Sequence, residues 1–109
     1  MDDYTELPLK NRLTHKLWKA RADGYEEVQK MINSVKSKPY ANLLELHHEY
    51  NLVSFVEDTN VVALEKATCT VYEFLFVLQK QLLQGTTPRT YENVFKKNVA
   101  PIRDSLMRV

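Results

Sequence analysis

The chain has 109 residues, 44% apolar and 27% charged, with fifteen basic residues against fourteen acidic for a formal charge of +1. That length supports one small folded domain, and the balanced charge excludes a globally basic nucleic-acid binder. Two glycines, four prolines and a single cysteine favour helices over a turn-rich β fold, exclude an intrachain disulfide framework and fit a reducing compartment.

Leu7–Pro8–Leu9 opens a short first helix to about Leu13, because proline at a first helical position loses nothing by its missing N–H. A break around Thr14–Lys16 precedes a second helix from about Leu17 to Val35. Its Trp18, Tyr25, Val28, Ile32 and Val35 draw one apolar stripe at helical spacing. Ser37–Lys38–Pro39 is a breaker. A third helix is expected from about Tyr40 to Val56, with Leu43, Leu46, Tyr50 and Val53 as its stripe and Leu44 and His47 beside it. Glu57–Asp58–Thr59–Asn60 is a tight polar turn that supplies N-caps for a fourth helix, about Val61 to Leu83. Leu64, Ala67, Val71, Phe74, Leu75, Leu78 and Leu82 share one side of it, and Val61, Tyr72 and Phe76 widen the apolar surface. Gly85–Thr86–Thr87–Pro88 ends that helix and caps a fifth, which carries Tyr91, Val94, Phe95, Val99, Ile102 and Leu106, with a kink or break at Pro101.

Helix and turn alternate with no strand signal, which predicts an all-α fold of antiparallel helical hairpins. Pairing the first four helices gives a period of roughly 45 residues, inside the range of about 40–47 typical of HEAT-type repeats. The expected architecture is a HEAT-like α-solenoid of about two and a half repeats. Residues 1–109 form a single domain, with repeat A at about 7–36, repeat B at about 39–84 and the start of repeat C at about 88–109. A plain helical bundle is the competing architecture.

Few residues offer chemistry. His47 and His48 are adjacent, so on a helix they point about 100° apart and cannot share an ion. His15 has no partner at ligand spacing, so no metal is expected. Cys69, among Ala67, Thr68, Thr70 and Val71, reads as a buried, inert thiol. No nucleophile elbow or glycine-rich loop is present, so neither an enzyme nor a cofactor site is expected. A small helical enzyme or metal protein using His15, His47 or Cys69 is the alternative from another class, which metal content would expose. Lys10, Arg12, Lys16, Lys19 and Arg21 are the densest basic cluster, either a solvated face or one that meets an acidic protein surface. No aromatic stacking platform accompanies it for RNA. The acidic Met1–Asp2–Asp3–Tyr4 lacks a signal peptide's regions, and no apolar run nears the roughly 20 residues of a membrane span. The expected place is the cytoplasm or nucleus.

Trp18, the only tryptophan, is either a core residue at the base of the second helix or an exposed anchor, since Trp and Arg are enriched in binding hot spots. In an α-solenoid, turns at one end of successive pairs line up along one edge. Trp18–Lys19 and Thr59–Val62 then lie side by side, an apolar and basic patch beside a small polar one.

Residues 3–28, DYTELPLKNRLTHKLWKARADGYEEV, resemble the opening of the first TOG domain of the microtubule polymerase family. Residues 55–67, FVEDTNVVALEKA, resemble that family's second intra-repeat turn and the helix after it. The resemblance implies a flat paddle of HEAT-like repeats whose turn edge binds the αβ-tubulin dimer. Trp18 would be an apolar anchor on β-tubulin, with Lys19 and Arg21 as charged neighbours; Thr59, Asn60 and Val61 would continue the tubulin edge. It also implies a place at the cytoskeleton, on microtubules, spindle pole or kinetochore, with no nucleic-acid or membrane partner. Residues 9–12, LKNR, depart from the acidic pair the family carries there. A six-repeat paddle would need about 240 residues, so the sequence reads as a truncated TOG domain whose open C-terminal end offers a route to self-association. A helical scaffold that has kept the TOG start but binds another protein is the alternative.

Overall fold

The computed structural model describes residues 4–85, together with 96, 97, 100, 101 and 104. Among the described residues up to 85, four α-helices run in order: α1 (Leu9–Leu13), α2 (Trp18–Ser34), α3 (Tyr40–Tyr50) and α4 (Val61–Gly85). Short 3-10 segments at Tyr4–Glu6 and Leu52–Glu57 precede α1 and α4. No strand occurs among the described residues. The all-α class is as the spacing predicts, and the principal extents of 52 × 28 × 17 Å describe a flat body. The fifth-helix residues Tyr91, Val94, Phe95, Val99, Ile102 and Leu106, and the side chain of Val53, lie outside the described set.

The stripes on α2 and α4 meet and make the core. Val28, Ile32, Ala63, Ala67, Val71, Phe74, Leu78 and Leu82 are all buried there. Complete burial of a Val, Ile, Leu or Phe side chain stabilises by about 1.5–3 kcal/mol. Thr70 sits fully buried at this contact, its Oγ1 3.0 Å from the Tyr25 carbonyl and 2.9 Å from that of Lys66, so the polar group is satisfied where the helices approach. At the far end, Nε2 of Gln81 lies within 3.0 Å of the carbonyls of Val35 and Lys36 and 2.6 Å from that of Lys38. The turn into α3 is thereby tied to α4.

α1 is fixed to α2 by Arg12, buried although charged. Its Nη1 donates to Asp23 at 2.7 Å, its Nη2 to Glu27 at 2.8 Å and its Nε to the Leu7 carbonyl at 3.1 Å. These bonds and their charges raise the Arg12 pKa, Glu27 most, against the opposing effect of burial. The pairing removes Arg12 from the expected basic cluster. α1 lies so close to α2 at Gly24 that a Cβ there would stand 2.9 Å from Cδ2 of Leu13.

Three expectations are corrected. The first helix begins at Leu9 and not at Leu7, because Pro8 is extended (ψ 148°) and caps it from outside. The third helix ends at Tyr50, six residues short of Val56. Asn51 enters the left-handed region (φ 50°), where asparagine is tolerated, and its N–H bonds the His47 carbonyl at 2.8 Å. The tighter 3-10 winding then turns Leu52, Phe55 and Val56 all into the core. Cys69 is exposed, since it falls on the outward side of α4, as are Val61, Tyr72 and Phe76. His47 sits half-buried against the Phe74 ring at 5.7 Å and His48 is exposed, as expected.

Candidate functional site

Two turns carry the site, Thr14–Leu17 before α2 and Asp58–Asn60 before α4, and both are built by side chains binding local backbone. In the first, Nδ1 of His15 accepts the Leu17 N–H at 3.0 Å. In the second, Oδ1 of Asp58 accepts the Asn60 N–H at 2.9 Å, and Oδ1 of Asn60 accepts those of Val62 at 2.9 Å and Ala63 at 3.0 Å. Asn60 is therefore the N-cap of α4, worth about 1 kcal/mol.

One cluster joins the turns across 37 residues of chain. Nε of Arg21 donates to Oδ2 of Asp58 at 2.7 Å and Nη2 to Oδ1 at 3.0 Å, a two-point pair. Nη1 of Arg21 donates to the carbonyls of His15 at 2.8 Å and Lys16 at 3.0 Å, holding the first turn. The Tyr25 hydroxyl donates to Oδ2 of Asp58 at 2.7 Å. The Asp58 side chain is 1% exposed. Burial pushes its pKa up, but the bonds from Arg21, Tyr25 and the Asn60 N–H outweigh it and hold the carboxyl below its ordinary value. Arg21 is raised, chiefly by Asp58 against the effect of burial. Tyr25 is raised by burial first and by the same carboxylate second.

Around this clamp the structure places every residue singled out in the sequence. Trp18 is half-buried at the core edge, with the Lys19 Nζ 5.8 Å from its ring centroid. Lys19 and Thr59 are exposed and Asn60 is half-buried. Val61 is 80% exposed and Val62 47%. Leu17, which precedes α2 at its N-cap position, is exposed as well, an apolar surface residue that sequence reasoning missed. Arg21 takes a different task from the surface charge expected of it: its donors are spent inside the molecule. Asp58 and Tyr25 were also missed as partners, because nothing in local spacing pairs residues so far apart.

Between the turns lies an open cleft of about 380 Å³, with Thr14 and His15 on one side and Ser54, Glu57 and Thr59 on the other. Among the described residues no group of three metal-binding side chains occurs, and no helix is long and apolar enough to cross a membrane. The surface is suited to docking: a fixed backbone, exposed valines, a half-buried indole and exposed lysines.

Comparison with known proteins places the sequence in a family. The family profile for the XMAP215/Dis1/CLASP TOG domain matches residues 3–105. The chain is similar to Protein mini spindles of Drosophila melanogaster, 39% identical over 67 residues, which is 59% of this chain and 3% of that protein. It is also similar to Spindle pole body component alp14 of Schizosaccharomyces pombe, 38% identical over 69 residues, covering 62% of this chain and 8% of that one. The match thus spans less than a tenth of either relative's length. No solved structure matches the chain.

Proposed function

This chain belongs to the XMAP215/Dis1/CLASP TOG domain family, and from that premise we propose that it is a non-enzymatic module that binds the αβ-tubulin dimer along the edge formed by its two turns. The observation that carries the reading is the pairing of exposure with rigidity. Val61 and Val62 project from a turn whose backbone is locked by Asp58 and Asn60, and that turn is fixed to the one bearing Trp18. Large apolar groups held open to solvent at preorganised positions favour association, since little ordering entropy is lost on docking.

The roles then divide. Trp18 is the anchor, its outer part inserting into an apolar groove while its inner part stays on the core edge. Lys19 and Lys16 supply charge that steers encounter with an acidic surface. Thr59, Asn60 and Val61 continue the contact, Asn60 through the amide nitrogen that capping leaves free. Arg21 holds both turns in register and does not itself touch tubulin. The spindle and spindle-pole names of the relatives support a place on microtubules. A scaffold that binds another protein, or itself, draws on different residues, Tyr72, Phe76 and Leu83 exposed on α4.

The test is co-migration with unpolymerised αβ-tubulin on a sizing column, with Val61→Glu and Lys19→Glu beside wild type. Both positions are exposed, so helicity is retained while the shift into the tubulin peak is lost. A wild type that never enters that peak overturns the reading; Tyr72→Glu with Phe76→Glu separates the scaffold alternative.

A further inference from the structure

Resting on the docking reading above, we infer that the cleft between the two turns is a socket for a basic side chain of the docked partner, and that Glu57 is the residue that selects it. The hydroxyls on its walls show which way the bonding runs. Oγ1 of Thr14 donates its proton to the Lys10 carbonyl at 3.2 Å, and Oγ of Ser54 donates to that of Asn51 at 2.8 Å. Each hydroxyl has one proton, so what both have left is lone pairs. The His15 and Lys16 carbonyls are taken by Arg21, and Arg21 is neutralised by Asp58. The charge that remains at the wall is the Glu57 carboxylate, exposed and with no ion-pair partner among the described residues. The cleft also carries donors, the Nε2–H of His15, whose Nδ1 is already accepting, and the Thr59 hydroxyl, so what distinguishes it is charge: its uncompensated group is the Glu57 anion.

A guest that pairs with Glu57 must therefore bring a positive charge. A guanidinium, planar with five N–H groups, matches a carboxylate flanked by hydroxyl oxygens better than a neutral amide does. The cleft volume of about 380 Å³ is at the small end of ligand sites, roughly 300–1,000 Å³, and is large enough for one side chain. Its position gives it a second consequence. The outer lysines favour an acidic partner surface in general, whereas the socket demands a cation at one point within that surface. Opposite requirements a few residues apart discriminate between partners of similar net charge.

Two experiments test this. Tubulin affinity is measured for wild type, Trp18→Ala, Glu57→Gln and Glu57→Lys. Glu57→Gln is expected to weaken binding about three- to tenfold, and Glu57→Lys more than tenfold, with helicity unchanged. If Trp18→Ala loses binding while both Glu57 variants bind as wild type, the socket is empty and this inference falls alone. If Trp18→Ala binds as wild type, the docking edge falls instead. The cleft is then read independently by titrating N-acetyl-arginine methylamide and following backbone amide resonances. Saturable shifts at Thr14, His15 and Thr59 that vanish in Glu57→Gln, and that N-acetyl-glutamate methylamide does not produce, support the socket. Equal shifts from both probes, or none, overturn it.

Discussion

Removing the Asp58 carboxylate should be the most damaging single change near the turns. Asp58→Ala deprives Arg21 of a two-point acceptor, the Tyr25 hydroxyl of its partner and the Asn60 N–H of its local bond. Breaking one side of a buried ion pair costs about 3–5 kcal/mol. Arg21 keeps two backbone carbonyls and its side chain is 19% exposed, so water reaches it, and the expected loss is at the lower end, about 3 kcal/mol. For a domain of this size each kcal/mol moves the melting temperature by roughly 4–8 °C, so a drop of at least ~10 °C is expected by circular dichroism at 222 nm. Arg21→Ala should be damaging too, and the double variant should be little worse than the more damaging single one, a coupling of about 1–3 kcal/mol. A loss below about 1 kcal/mol for Asp58→Ala, or additive singles, would refute the claim that this clamp joins the turns.

Acid should act through the same group. Asp58 titrates below its ordinary value in the fold, so as pH falls the unfolded chain takes up the proton first; the stabilisation is complete above about pH 4 and disappears as pH drops through the folded value. Stability measured from pH 5 to 2 should fall more steeply in wild type than in Asp58→Asn. His47 is lowered by burial and, secondarily, by His48, so its contribution is present above about pH 6.5 and lost on acidification; His47→Gln should flatten the stability profile between pH 7 and 5. Asn60→Ala should cost about 1 kcal/mol in urea unfolding by uncapping α4. Val61→Glu, at a position 80% exposed, should change stability by less than about 0.5 kcal/mol while abolishing tubulin co-migration.

Periodicity made the helices legible. The stripe on α4 follows from residue type and spacing and is present in the fold; of the three candidate caps Asp58, Thr59 and Asn60, it is Asn60 that caps α4, while Asp58 is spent on the clamp. The side-by-side placement of the two turns followed from helix pairing and the repeat period. What failed was local. The apolar pattern after Tyr50 continues at helical spacing, so it concealed the left-handed Asn51 and the change to 3-10 winding, which keeps Leu52 and Phe55 inward at a spacing of three. Cys69 was misplaced because its neighbours in sequence are small and apolar, whereas its side of the helix is decided by the stripe at Ala67, Val71 and Phe74. Arg12 and Arg21 read as surface charge because their acids, Asp23, Glu27 and Asp58, pair with them only once helices pack. A sequence shows which residues are basic and leaves open which of them are already paired, and that distinction separates the clamp from the docking surface.

The measurement that tests the central claim most directly is binding of αβ-tubulin by the full 109-residue chain, compared with Trp18→Ala, Val61→Glu and Tyr72→Glu, each shown to be folded by circular dichroism. The turn-edge account requires wild type and Tyr72→Glu to co-migrate with tubulin while Trp18→Ala and Val61→Glu do not. Loss of binding in Tyr72→Glu with Val61→Glu unaffected would contradict it and move the interface to the outer face of α4.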